Sequence, residues 1–120
     1  MPHFTLHYSA NLPDLDVSRC LAGVNSALAA SGHFDEIDIK SRAFKADDFR
    51  VGVEAYGRGF VAGTLAVLTG RSEETRREMG ATALQALTAC IQAPSGLHVQ
   101  VTVDVVELER EVYAKAVLNG

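Results

Sequence analysis

A proline stands directly behind Met1, and the chain runs on from it without a break as Met1-Pro2-His3-Phe4-Thr5-Leu6-His7-Tyr8. Removal of Met1, the usual fate of a methionine that precedes a small residue, is expected to leave Pro2 first, with a free secondary amine. Such an amine can accept a proton and return it, serving as base and then as acid. An ordinary α-amino group titrates at ~7.7–8.0 and a secondary amine is more basic, so work at neutral pH requires surroundings that disfavour the ammonium form. Apolar walls and nearby cations do this, and Phe4, Phe44, Phe60 and the basic residues are the candidate suppliers. The competing reading of Pro2 is a residue that simply suits the start of a strand, where no ladder hydrogen bond is asked of it.

Three further cations could do chemistry with it. Arg71, in Gly70-Arg71-Ser72, falls where a strand turns into a helix, beside amides that already attract anions. Its planar fork binds a carboxylate through two hydrogen bonds and stays charged, although a surface or capping role would place an arginine there equally well. Lys40 and Arg42 share one parity of a strand, where they form either a solvated face or a second cationic site for an oxyanion or distal carboxylate. Arg76 is expected only to lay its stem along the helix. His3 and His7 share a strand face but stand four residues apart, about 13 Å at ~3.3 Å per residue, too far to hold one ion, so no metal is expected. Gly57-Arg58-Gly59 and Gly70-Arg71-Ser72 lack the further glycines or the lysine of nucleotide-binding loops and read as turns. Catalysis without a cofactor follows. Cys20 and Cys90 lie in helical patterns with no short mutual spacing and read as reduced core residues.

The elements that must position these groups follow from periodicity. Phe4, Leu6 and Tyr8 alternate with Thr5 and His7 as in a half-buried strand. Asn11-Leu12-Pro13-Asp14 turns the chain, and Val17, Leu21, Val24 and Leu28 mark one face of a helix over about 14–31, closed by Ser31-Gly32. A second strand is expected over 37–44, with Ile37, Ile39 and Ala43 on one face and Asp38, Lys40 and Arg42 on the other. Residues 45–57 form a polar connection, with a short hairpin edge at Phe49–Val53. Phe60–Leu68 is apolar on both parities, as in an interior strand. Ser72 is placed to cap a second helix whose apolar face is Met79, Ala83, Leu87, Cys90 and Ile91, and Pro94-Ser95-Gly96 stops it. Leu97–Leu108 alternates as a fourth strand, and 109–120 is a tail whose Val112, Ala116 and Val117 could dock on this chain or on a neighbour.

With 120 residues, 48% of them apolar, the chain reads as one domain of α+β class. Two βαβ units, at about 2–44 and 58–108, make a four-stranded sheet with both helices on one face. The other sheet face is left apolar at strand three, which implies an oligomer. A net charge of −4 with no Lys/Arg cluster argues against a nucleic-acid partner. With no membrane span and no signal-peptide pattern, the cytoplasm is the expected location.

Pro2-His3-Phe4 at the start, Ser31-Gly32-His33-Phe34 closing helix one, Lys40-Ser41-Arg42 in strand two and Gly70-Arg71-Ser72-Glu73-Glu74-Thr75-Arg76 opening helix two resemble the 5-carboxymethyl-2-hydroxymuconate Δ-isomerase family of the tautomerase superfamily. Where that family commonly has Arg-Ser-Arg in strand two, this chain begins the run with Lys40. The resemblance implies a homotrimer with sites near subunit boundaries and an N-terminal proline, here Pro2, as base. It also implies a small dicarboxylate substrate and a place in the bacterial breakdown of homoprotocatechuate. The expected reaction shifts a proton within an unsaturated 2-hydroxy acid, with Pro2 catalytic and Arg71, Lys40 and Arg42 binding substrate. Two alternatives stay open: a trimer of the same fold that binds or signals without catalysis, and another small-acid reaction, such as dehalogenation or decarboxylation, on the same scaffold.

Overall fold

The structure is a computed structural model that describes every residue, Met1–Gly120. In chain order it comprises β1 (His3–Ser9), α1 (Val17–Ala30), a 3-10 turn (Glu36–Asp38), β2 (Lys40–Ala46), β3 (Arg58–Leu68), α2 (Glu73–Ala89), β4 (His98–Leu108) and a last 3-10 turn (Arg110–Val112). The strands lie in the order β2-β1-β3-β4. β1 runs parallel to β2 and β3 parallel to β4, whereas β1 and β3 are antiparallel. The chain is therefore two βαβ units joined through their first strands, the α+β architecture that the alternation of elements predicts.

Side-chain parity decides where the core sits. Phe4 and Leu6 of β1 and Val61, Leu65 and Val67 of β3 point to one face and are fully buried. They meet Cys20, Val24 and Leu28 of α1 and Met79, Ala83 and Leu87 of α2 in a single cluster, so both helices cover the same face. Gly63 lies opposite Leu6 across the β1–β3 ladder. A Cβ added there would stand 2.5 Å from Cζ of Phe4, so the lack of a side chain makes room for that ring. The opposite face, with Thr5, His7, Phe44, Ala62 and Thr64, has no helix over it.

Several element boundaries differ from the sequence reading. α1 begins at Val17 rather than near residue 14, because the Asp16 carboxylate accepts from the Arg19 amide at 3.1 Å and caps the helix there. β2 spans 40–46 rather than 37–44. Lys40 is the partner of His3, the first residue of β1, and residues ahead of it have no strand to pair with. Glu36-Ile37-Asp38 instead forms the 3-10 turn, which leaves Ile37 81% exposed while Ile39 reaches the core. α2 is capped by Ser72, whose hydroxyl accepts from the Thr75 amide at 3.1 Å, but it ends at Ala89, before the Pro94 stop. The expected hairpin edge reduces to one antiparallel bridge between Val51 and Glu54. Val112 and Val117 of the tail are exposed, and the tail docks through polar groups instead. The Arg110 amide and Nε donate to the Thr69 hydroxyl and carbonyl, each at 3.1 Å.

Candidate active site

The register gathers the chemistry-bearing residues at one end of the sheet. His3 is paired with Lys40 on one side and with Ala66 on the other, and Leu68 with Leu108. The starts of β1 and β2 thus lie beside the ends of β3 and β4, which brings Pro2, Lys40, Arg71 and the tail to the same end. The Pro2 side chain is fully buried. Its carbonyl accepts from the Lys40 amide at 3.1 Å, so Pro2 extends the β1–β2 ladder as an acceptor only.

The electrostatics around the chain's amine can be followed atom by atom. In the Met1-bearing chain the amine belongs to Met1, and it is held below the ordinary α-amino range by burial first, then by the charge of Lys40. Asp38 acts in the opposite sense. Its carboxylate is paired with Lys115, whose Nζ donates to Asp38 Oδ1 at 2.8 Å, while the Lys40 ammonium donates to the Asp38 backbone carbonyl. The Lys115 bond lowers the Asp38 carboxyl and raises the Lys115 ammonium.

Arg42 lies on the uncovered face and works on His3. One guanidinium nitrogen stands 2.9 Å from His3 Nδ1, and the other is 3.5 Å from the Thr5 hydroxyl. A guanidinium only donates, so Nδ1 must accept, and the neutral ring carries its proton on Nε2. That nitrogen lies 3.3 Å from the Tyr113 hydroxyl, which can accept it. Burial, followed by the charges of Arg42 and Lys40, holds His3 below the usual histidine range, in keeping with a neutral ring.

Arg71 is seated between the end of β3 and the segment that follows α1. Its guanidinium lies 5.0 Å over the Phe34 ring and donates to the carbonyls of Leu68 and His33 at 3.4 and 3.5 Å. These are long bonds, and a charged acceptor would compete well for the same fork. Arg76, expected to lie along its helix, is half-buried and pairs with Glu107 at 3.7 Å.

The structure therefore ties Lys40 directly to Pro2, engages Arg42 with His3 and Thr5, and sets Arg71 against the segment that follows α1. The clefts of the chain lie elsewhere, and none is lined by Pro2, Lys40, Arg42 or Arg71. Asp38, Tyr113 and Lys115 were not legible as neighbours of this end of β1, since the β1–β2 register brings Asp38 there and the return of the tail brings Tyr113 and Lys115.

Two βαβ units in one four-stranded sheet, with both helices on one face, give the chain a tautomerase-like fold. The model of the 5-carboxymethyl-2-hydroxymuconate isomerase family matches residues 2–117, and the chain belongs to that family. It is 35% identical over 81 residues to the 5-carboxymethyl-2-hydroxymuconate Delta-isomerase of Escherichia coli. That match takes in 67% of this chain and 64% of the Escherichia coli protein, just under two thirds of its length. A 5-carboxymethyl-2-hydroxymuconate isomerase from Deinococcus radiodurans R1 superposes with a TM-score of 0.87 at 26% identity, over 96% of this chain and 88% of its own. Another solved structure, of a 5-carboxymethyl-2-hydroxymuconate delta-isomerase, gives 0.84 at 28% identity, over 99% and 89%.

Proposed function

We propose that the protein is a cofactor-free isomerase that moves a proton within an unsaturated 2-hydroxy or 2-oxo dicarboxylic acid such as 5-carboxymethyl-2-hydroxymuconate. The observation that carries this reading is the surroundings of Pro2 in a chain of this family. The proline is buried, bonded through its carbonyl to Lys40, and placed where burial and a lysine already depress the chain's amine. With Met1 removed, the amine passes one residue along to Pro2 and meets the same influences. A neutral Pro2 nitrogen takes the proton from the 2-hydroxyl of the dienol acid, or from C3 of its 2-oxo form, and the electron pairs shift along the conjugated chain. The resulting ammonium returns the proton at C5 to give the conjugated keto acid, so no atom is gained or lost.

The three cations divide the anionic substrate between them. Arg71 binds one carboxylate through its fork at the start of α2. Lys40 lies beside the amine and steadies the developing oxyanion, and Arg42 attracts the distal carboxylate from the uncovered face. A homotrimer that packs this sheet face against neighbouring copies would enclose a site that the single chain leaves open. The reading is tested by adding the processed protein to a 2-hydroxymuconate-type substrate and following conversion of the dienol to the conjugated ketone. Acceleration well above buffer is expected. Its absence, with turnover of a halogenated or decarboxylatable small acid instead, would move the chain to another reaction on the same scaffold.

A further inference from the structure

The helix layer holds a pair of groups that the proposed isomerisation does not use. Cys20 lies in the first turn of α1 and Cys90 caps α2, and although they are 70 residues apart in sequence their sulfurs face each other at 2.6 Å. Both are free thiols. Cys20 is fully buried. Cys90 is half-buried, donates to the Leu87 carbonyl at 3.1 Å, and lines an open cleft of about 470 Å³ with Leu12, Leu15, Arg19, Ile91 and Pro94. Of the pair, Cys90 is thus the residue that borders the cleft, whereas Cys20 is shut in the core.

We propose that Cys20 and Cys90 form a dithiol modification site that small hydroperoxides oxidise to an intramolecular disulfide. The accessible Cys90 thiolate attacks a peroxide oxygen. An S–O bond forms, the O–O bond breaks, and the leaving oxygen departs protonated, leaving Cys90 as a sulfenic acid. Cys20 then attacks that sulfur. The S–S bond forms, the S–O bond breaks, and the hydroxyl leaves as water with the Cys20 proton. With hydrogen peroxide the sum is two thiols and one peroxide giving one disulfide and two waters. Burial first, then its bond to Cys90, pushes the Cys20 thiol up to about 12, which keeps it a thiol and leaves the first encounter with peroxide to Cys90. The bond would clasp the start of α1 to the end of α2, whereas the opposite ends of these helices carry Phe34 and Arg71. The site is therefore independent of Pro2, and it lies in the helix layer rather than on the uncovered sheet face.

The test uses the full chain, reduced, freed of reductant and exposed to hydrogen peroxide, with intact mass and thiol content in denaturant as readouts. The expected result is a loss of about 2 Da, disappearance of both thiols together, no covalent dimer on a non-reducing gel, and recovery of both thiols with a dithiol reductant. Cys20→Ala, which keeps the buried position apolar, should instead gain about 16 or 32 Da at Cys90. Oxygen gains in the unaltered chain without the 2 Da loss, disulfide-linked dimers, or survival of both thiols under conditions that oxidise Cys20→Ala would each overturn the proposal.

Discussion

Lys40 does two things at the end of the sheet. Its amide holds the Pro2 carbonyl, and its ammonium depresses the neighbouring amine. The sequence marked it only as one of two cations on a polar strand face, and that pairing is sound, since Lys40 and Arg42 stand opposite His3 and Thr5. The contact of Arg42 with His3 was not legible, because it depends on a register that no single strand encodes. Two predictions belong at this scale. Arg71→Ala should raise KM for a dicarboxylate substrate, and losing one charged hydrogen-bonded pair should cost about 1.5–3 kcal/mol in kcat/KM, roughly ten- to a hundredfold. Unchanged kinetics in a folded variant would make Arg71 a capping residue. His3 concerns stability. Its folded pKa is depressed, so as pH falls below the ordinary value near ~6.5 the unfolded chain takes up a proton that the folded ring resists. The contribution is present above that value and is lost as pH falls through the folded pKa. Urea midpoints should therefore drop more steeply between about pH 7 and 5 for the natural chain than for His3→Gln, and equal slopes would contradict the assignment.

At the scale of elements, strands and helices were legible wherever a period was long and its ends were chemically marked. Ser72 with Glu73 and Glu74 gave the start of α2 to the residue. Alternation gave β4 to within one residue. Failures came where one segment satisfied two patterns. Ile37 and Ile39 alternate like a strand, yet only Ile39 reaches the core, since the pairing of β2 with β1 starts at Lys40. Cys20 is buried in the core as its helical pattern predicts, whereas Cys90 is only half-buried, and the antiparallel packing that turns the two toward each other is a property of two helices together. Gly63 supplies the test of the helix-facing side of the sheet. Gly63→Ala would drive a Cβ to within 2.5 Å of Phe4 Cζ in a core without slack. It should destabilise the fold by about 1–3 kcal/mol, read as a lower urea midpoint at unchanged m-value. An unchanged midpoint would mean that the Phe4 ring can move aside.

At the scale of the whole molecule, one sheet face is covered by two helices and the other by no helix of this chain. Phe44 is 52% exposed there and stacks on His7 at 5.5 Å between ring centroids. That face also carries Arg42, so closing it against other copies would bring a neighbour's surface up to the sheet end that holds Pro2. The uncovered face was legible in the apolar double parity of strand three, whereas the partner that covers it is not encoded in any one segment. Light scattering at micromolar concentration should return about three times the 12.8 kDa chain mass. A monomer with full activity would contradict a shared site.

The most direct test of the account compares chains that differ only at the first residue. Intact mass identifies the processed and Met1-retaining forms, and each is assayed with the same 2-hydroxymuconate-type substrate across pH. In the processed form kcat/KM should rise with pH through the Pro2 amine pKa, and, if burial and Lys40 act on Pro2 as they act on the Met1 amine, that limb should lie below the pKa of a proline in an unfolded chain. In the retaining form the Pro2 nitrogen is an amide with no basicity, so isomerisation should fall to background while fold and assembly persist. Equal rates from the two forms would show that Pro2 is not the base.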